Sequence, residues 1–247
     1  MKAAVSLDEI MARPDVWCAD RLASSAIPAV PSGFPVLDAE LPGSGWPRGA
    51  LTEILVDGVG LGECSLVMPV LSRMREENRW SLLVAPPHGL QGPAWVACGI
   101  DLARLVMVSP TRRRDVLWAT EHALSSGAVG TVLCWTKNID APQVRRLQVA
   151  VAGSNTLAFL FRPVRARTES SAASLRLLLS AGSRGTLAVD LLKRRGPPCT
   201  RTLCLDVPRP LKWREDYEPG KSSQPQSAQR KRLINRGLHH FSGSPAG

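Results

Sequence analysis

Short apolar runs alternate along the chain with amphipathic segments of helical period, and this pattern predicts an α/β fold. The first apolar run, Leu51–Leu55, reads as a short strand bounded by glycine-containing turns. A glycine-bearing loop and a helix from about Cys64 to Glu76 follow it. Strand, loop and helix in that order make up half of a βαβ unit.

The pattern repeats further along the chain. Apolar runs predict strands at Ser81–Ala85, Leu105–Val108, Ala128–Trp135 and Thr156–Phe161, and helices are predicted through Ala94–Gly99, Asp115–Ser126 and Val144–Ala152. The strand runs are continuous rather than alternating, which is typical of parallel strands buried on both faces. The sequence therefore predicts a mostly parallel, doubly wound central sheet flanked by helices.

The segment after Phe161 has a different character. Ser174–Ser180 and Thr186–Leu192 are expected to form a C-terminal β-hairpin, and residues 201–208 could add an edge strand. From Trp213 the chain is polar, basic and rich in Ser, Gln and Pro, which predicts disorder. At the other end, Ser6 and Glu9 form a capping box for a short amphipathic helix, which could pack on the core or dock on another protein.

These readings divide the chain into an N-terminal arm (1–24), a core domain (25–212) and a disordered basic tail (213–247). Apolar residues make up 44% of the 247 residues, enough for a packed core. No apolar run reaches the ~18 residues of a membrane span, and no secretory signal is evident. The six cysteines form no CxxC motif, so we expect a cytoplasmic protein without metal ligands or a disulfide framework.

The positive charge is unevenly placed. The net charge is +10, and the segment from Lys193 to the end contains 12 Lys/Arg against 4 Asp/Glu. Such a basic segment suggests nucleic acid or an acidic protein as a partner, and a purely solubilising tail remains the alternative.

Several anchors lie in the same order as in the RecA-like core. They are Ser32-Gly-Phe-Pro-Val-Leu-Asp38, Gly45-Trp-Pro-Arg-Gly49, Ser126-Gly-Ala-Val129 and Ser154-Asn-Thr-Leu157. Residues 26–200 therefore resemble a RecA-like core of the P-loop type. More narrowly, Ser6–Ile10, Arg13–Trp17, Asp38–Gly43, Val84–Pro87 and Leu191–Gly196 resemble ImuA, a RecA-related family of bacterial SOS mutagenesis cassettes. The fold of that family is similar to SulA, the SOS division inhibitor.

The resemblance places a nucleotide loop at residues 57–66, DGVGLGECSL, and its chemistry is missing. A working loop needs a Lys for the phosphates and a Ser or Thr hydroxyl for Mg²⁺. The corresponding positions hold Glu63 and Cys64, although Gly62 and Ser65 keep a glycine and a hydroxyl. Asp57 replaces the opening Gly and Gly58 follows it. Pro87, Trp135 and Pro163 stand where other polar site residues belong. We therefore expect a protein that is not an enzyme and has no cofactor.

The ImuA resemblance implies a non-catalytic adaptor in translesion DNA synthesis. Its implied partners are an ImuB-type Y-family-like protein and an error-prone DnaE-type polymerase, with RecA as a further candidate. The alternative is a SulA-like division inhibitor that binds the tubulin-like ring protein. A working RecA-like ATPase and a bare DNA-binding module are the remaining hypotheses, and the lost site residues speak against the ATPase. Candidate DNA or partner contacts are Arg162, Arg165, Arg167, Lys193, Arg194, Arg195, Trp213, Arg230, Lys231 and Arg232.

Overall fold

A computed structural model describes residues 28–58 and 60–207, with the side chain of Arg184 excluded. The predicted arm (1–24) and tail (213–247) lie wholly outside these residues, as do residues 25–27 and 208–212 of the predicted core. Their status therefore stays a prediction. Within the described part, no helix is both long and apolar enough to cross a membrane.

Ten strands and five α-helices build the described part. The strands are β1 (Ala29–Val30), β2 (Trp46–Pro47), β3 (Ala50–Val56), β4 (Trp80–Val84), β5 (Leu105–Val108), β6 (Val129–Trp135), β7 (Leu157–Pro163), β8 (Leu175–Ala181), β9 (Leu187–Lys193) and β10 (Leu203–Leu205). The helices are α1 (Pro35–Asp38), α2 (Glu63–Glu76), α3 (Gly92–Ala97), α4 (Arg113–Ser126) and α5 (Ala141–Val151). Short 3₁₀ turns occupy Leu102–Arg104, Val164–Thr168 and Ser183–Gly185.

Eight of these strands form one central sheet in the order β10-β9-β8-β3-β7-β6-β4-β5. The pairs from β8 to β5 are parallel, whereas β9 runs antiparallel to both β8 and β10. The predicted α/β class with a mostly parallel sheet is confirmed, as are the hairpin and its edge strand. The remaining strands, β1 and β2, pair separately as a small antiparallel sheet.

Helices cover the sheet on both faces, and the strand side chains alternate between two cores. In β7, Phe159 and Phe161 pack with residues of α1, α2 and α3, whereas Ala158 and Leu160 pack with residues of α4 and α5. Both sets are buried. This explains why the central strands read as continuous apolar runs, since neither of their faces meets water.

Candidate functional site

A cleft of about 370 Å³ opens beyond the carboxyl ends of the central parallel strands. Open α/β sheets bind ligands at this edge, because the loops that leave the strands meet there. The cleft is lined by Val56, Gly58, Glu63, Ala85, Pro87, Trp135, Thr136, Lys137, Phe161, Arg162, Pro163 and Arg165. Four of the positions that the sequence assigned to one degenerate nucleotide site, Glu63, Pro87, Trp135 and Pro163, are thus brought together.

Three glycines of the loop between β3 and α2 lie in the left-handed region of backbone conformation. Gly58, Gly60 and Gly62 adopt φ angles of 102°, 89° and 104°, which side chains with a Cβ rarely tolerate. Gly62 is the N-cap of α2 and offers no side-chain oxygen to the first helical amides. A helix start of this kind presents free N–H groups and a positive dipole end.

Glu63, the first residue of α2, closes that turn with its own carboxylate. Its Oε1 accepts a hydrogen bond from the Gly60 amide at 3.3 Å, and its Oε2 accepts one from the Gly62 amide at 3.2 Å. The residue is only 4% exposed. A carboxylate of the chain therefore occupies amides that would otherwise be available to a phosphate, and its charge would repel an incoming anion.

The next position also argues against metal or nucleotide chemistry. Burial, together with the nearby charge of Glu63, raises the pKa of the Cys64 thiol to about 12. The thiol is therefore protonated at neutral pH and is a poor ligand for a hard cation such as Mg²⁺. Ser65 keeps its hydroxyl in the first turn of the same helix.

Part of the remaining wall of the cleft is aromatic and apolar, and Thr136, Lys137 and two arginines form the rest. The indole of Trp135 stacks on Phe161, with ring centroids 4.6 Å apart and planes 10° from parallel. Pro87 and Pro163 contribute no titratable group. Among the residues that line the cleft, Glu63 supplies the one carboxylate, and it is already hydrogen bonded. Within the described ranges, no three His, Cys, Asp or Glu side chains form a group that could hold a metal.

The prediction that Arg162 lies in a loop is wrong, and this candidate DNA or partner contact is buried. Arg162 belongs to strand β7 and is 3% exposed. Its Nη1 donates to Glu53 Oε1 at 2.5 Å, and its Nη2 donates to Glu169 Oε2 at 2.5 Å and to the Ile139 carbonyl at 3.0 Å. Arg176 donates to the other oxygen of Glu53. A buried Arg–Glu–Arg triad was not foreseen from the sequence.

The other predicted basic contacts are dispersed. Arg165 lies beside the cleft and donates to the Lys137 carbonyl at 2.6 Å and to Asn138 Oδ1 at 2.8 Å. Arg167 is exposed in the same 3₁₀ turn.

The basic run at the end of β9 is partly tied to the rest of the chain. Lys193 donates to the Ser171 carbonyl at 3.0 Å, and Arg194 donates to Glu40 Oε2 at 2.7 Å, whereas Arg195 is exposed. Trp213, Arg230, Lys231 and Arg232 lie outside the described residues.

The fold and the site together define a class: an α/β protein whose strand–loop–helix turn is occupied by its own carboxylate. Comparison with known proteins finds relatives for the central part of this chain. Residues 50–158, from the start of β3 into β7, match the model of the family described as "Cell division inhibitor SulA". This segment contains the loop, Glu63 and all of α2 to α5.

Individual relatives carry the same name. The chain is 30% identical over 111 residues to the cell division inhibitor SulA of Photorhabdus laumondii, an alignment that covers 45% of this chain and 63% of that protein. It is 25% identical over 107 residues to SulA of Edwardsiella piscicida, covering 43% and 64%. For SulA of Pectobacterium carotovorum the identity is 28% over 116 residues, covering 47% and 69%.

These matches support a place for the chain in the SulA-related superfamily. They also correct the functional hypothesis drawn from the sequence. The reading as an ImuA-type adaptor of translesion synthesis is wrong, because the matching family and the similar curated proteins are division inhibitors. The finding favours the alternative reading. The chain covers less than two thirds of the length of each of the first two relatives, 63% and 64%.

Proposed function

We propose that the protein inhibits cell division as SulA does, by binding a component of the division machinery rather than by catalysis. The match of residues 50–158 to the SulA family carries this proposal. The partner implied by the resemblance is the tubulin-like protein of the division ring. We further propose that the core descends from a RecA-like P-loop domain whose nucleotide site has been lost.

The chemistry of the cleft supports a role without turnover. Glu63 occupies the loop amides, Cys64 carries a protonated thiol, and prolines and an aromatic pair fill the positions of polar catalytic groups. Such a site offers no nucleophile, base or metal ligand set to a triphosphate. A protein of this kind acts through its surface.

The edge of the sheet at β5 supplies a surface suited to protein binding. This strand pairs with β4 on one side and ends the sheet on the other. Val106, Met107 and Val108 are 41%, 43% and 37% exposed, and Trp80 on the neighbouring strand is 43% exposed. The guanidinium of Arg104 lies over the Trp80 ring at 5.9 Å. Exposed apolar edges of this kind are typical docking sites.

The test is expression of the chain in dividing bacteria, with cell length as the readout. We expect filamentous cells from the wild-type chain and cells of near-normal length from Met107→Lys. The matched control is Val36→Lys, which places the same charge on another exposed apolar position, 49% exposed on α1, and should still give filaments. Circular dichroism of the purified variants checks that each is folded.

A binding assay completes the test. The purified chain should co-sediment with the tubulin-like division protein or suppress its assembly, as followed by light scattering, and Met107→Lys should weaken the effect. Cells of normal length despite abundant folded wild-type chain would overturn the division role. Filaments that persist with Met107→Lys would retain that role and reject the β5 edge as its surface.

A further inference from the structure

The outer face of helices α4 and α5 carries an unusual combination of exposed apolar and cationic side chains. Trp118 on α4 and Val149 on α5 are each 65% exposed, more than any other large apolar residue in the described part. Arg112, Arg113 and Arg114 surround the start of α4, and Arg145 lies on α5. We call these six residues the Trp118 face. It belongs to the opposite side of the sheet from α2 and α3.

The face is held in shape by contacts between the two helices. Arg146 on α5 forms a two-pronged ion pair with Glu121 on α4, at 2.6 and 3.3 Å. Arg113 donates to Gln143 at 3.1 Å. A shallow depression of about 160 Å³ lies between the helices and is bordered by Arg114, Trp118 and Arg146, among others. The helix surfaces are thus a fixed support rather than two independent elements.

The indole of Trp118 stacks against a neighbouring ring. His122, one helical turn along α4, stacks on Trp118 with ring centroids 5.3 Å apart and planes 6° from parallel. One face of the indole is therefore covered and the other faces outward. Trp and Arg are among the residue types most enriched at positions that dominate protein–protein binding energy.

Some of the positive charge of this face is uncompensated. Arg114 approaches Asp115 at 3.4 Å, but the side chains of Arg112 and Arg145 form no ion pair with other described residues. Both are exposed. A ligand complementary to this face therefore needs carboxylates for the arginines and apolar surface for Trp118 and Val149.

We propose that the Trp118 face binds an acidic segment of a partner protein. The carboxylates of Asp115, Glu121 and Asp140 lie within the same surface. A polypeptide can place its own N–H groups or basic side chains beside them while its carboxylates meet Arg112 and Arg145, whereas the phosphate backbone of a nucleic acid offers negative charge alone. This interface is separate from the β5 edge, because it lies on other elements.

The experiment uses the full chain and poly-L-glutamate as the acidic probe, with affinity measured by fluorescence anisotropy at moderate salt. Arg112→Glu combined with Arg145→Glu should weaken binding by about tenfold or more, as expected for loss of two interface cations. The charge-matched control is Arg73→Glu combined with Arg75→Glu on α2, which should change affinity by less than about twofold. Trp118→Ala should also weaken binding.

A local readout separates this face from the other basic segments. In protein labelled with 5-fluorotryptophan, the ¹⁹F resonance assigned to Trp118 by the Trp118→Phe variant should shift on addition of poly-L-glutamate, and that of Trp80 should not. Equal weakening by both charge-reversal pairs, or an unmoved Trp118 resonance, would overturn the proposal. So would a single-stranded oligothymidylate that binds this face more tightly than poly-L-glutamate.

Discussion

Arg162 and Glu53 form an ion pair in the middle of the sheet, with Nη1 2.5 Å from Oε1 and both side chains almost fully buried. The two residues lie on neighbouring strands, β7 and β3, and are 109 positions apart in the chain. Arg176 on β8 completes the set from the other side of Glu53. The central three strands are therefore joined by charge as well as by backbone hydrogen bonds.

Removal of the shared carboxylate is the sharpest test of this triad. We expect Glu53→Gln to lower the free energy of unfolding by about 3–5 kcal/mol, because Arg176 loses its counter-charge and Arg162 keeps only the half-exposed Glu169. Urea denaturation monitored by circular dichroism measures the loss. Glu121→Gln, which breaks the more exposed pair with Arg146, serves as the control and should cost less than about 1 kcal/mol.

The same triad should tolerate complete replacement better than partial loss. A variant that carries Met at positions 53, 162 and 176 keeps much of the volume and buries no charge, so we expect it to be more stable than Glu53→Gln. An unfolding free energy for Glu53→Gln within about 1 kcal/mol of the wild type would contradict a structural role for the ion pairs.

The Glu63 carboxylate predicts how the degenerate loop responds to anions. Glu63→Gln frees the amides of Gly60 and Gly62 from a charged acceptor, so inorganic phosphate should gain access to the helix start. Phosphate at about ten times its dissociation constant would add about 1.4 kcal/mol, visible as a rise of several degrees in melting temperature. The wild-type chain should show no such rise.

Glu76→Gln, at the other end of α2, is the matched control for that experiment and should behave as the wild type. Neither the wild-type chain nor Glu63→Gln is expected to hydrolyse ATP, because Pro87, Trp135 and Pro163 supply no catalytic group. Micromolar binding of ATP–Mg²⁺ to the wild-type chain in calorimetry would show that the Glu63 carboxylate does not block the loop.

The contrast between Glu63 and Glu53 shows what the sequence could and could not reveal. Glu63 follows a strand, a glycine loop and the start of a helical pattern, so its position in a degenerate loop was predictable from local spacing. That its carboxylate turns back onto the loop amides was not. Glu53 lies inside an apolar run, and its partners are 109 and 123 residues away. Long-range pairing of this kind leaves no local periodic signal.

The same reasoning explains why most of the elements were predictable. Strands buried on both faces produce apolar runs such as Leu157–Leu160, and a glycine ends α4 at Gly127 with a left-handed φ of 63°. Arg162 was misplaced because an arginine after such a run looks like the start of a loop. Only the buried acid on the neighbouring strand makes it part of the sheet.

Glu40 predicts a weakening of the fold in acid. Hydrogen bonds from Arg201 and, to a lesser extent, Arg194 hold the pKa of Glu40 below its ordinary value of 4.5, although desolvation opposes them. A lowered pKa in the folded state stabilises the fold above pH 4.5, and this contribution is lost as the pH falls through the lowered pKa. Glu40→Gln should therefore be less stable than the wild type near pH 6, with a gap that narrows towards pH 3.

Urea midpoints across that range test the Glu40 prediction. Glu76→Gln, which removes an exposed carboxylate of α2, should give a nearly constant difference from the wild type. A gap for Glu40→Gln that widens as the pH falls would show that the pKa of Glu40 is raised rather than lowered in the folded protein.

The partly buried Cys64 and the buried Cys134 should differ in reactivity from the exposed cysteine. Burial raises the pKa of Cys64 to about 12 and that of Cys134 to about 11, from an ordinary 9.0. Only the thiolate is nucleophilic, so both should resist iodoacetamide at pH 8, whereas the exposed Cys204 should react readily. Pulsed alkylation followed by mass spectrometry of peptides measures each site, and unfolding in urea should abolish the difference.

The raised pKa of Cys64 also predicts that the fold loses stability in alkali. The folded chain keeps the proton that the unfolded chain releases near pH 9.0, so the stabilisation is complete below that pH and declines as the pH rises towards 12. Between pH 8 and pH 10.5 the wild type should lose about 1–2 kcal/mol more than Cys64→Ala, which has no thiol to ionise. Parallel urea titrations measure the stability of both chains. The contributions of the lysines and of the single tyrosine are the same in both, so they cancel in the difference. Equal losses in the two chains would mean that the Cys64 thiol ionises as easily in the folded state as in the unfolded one.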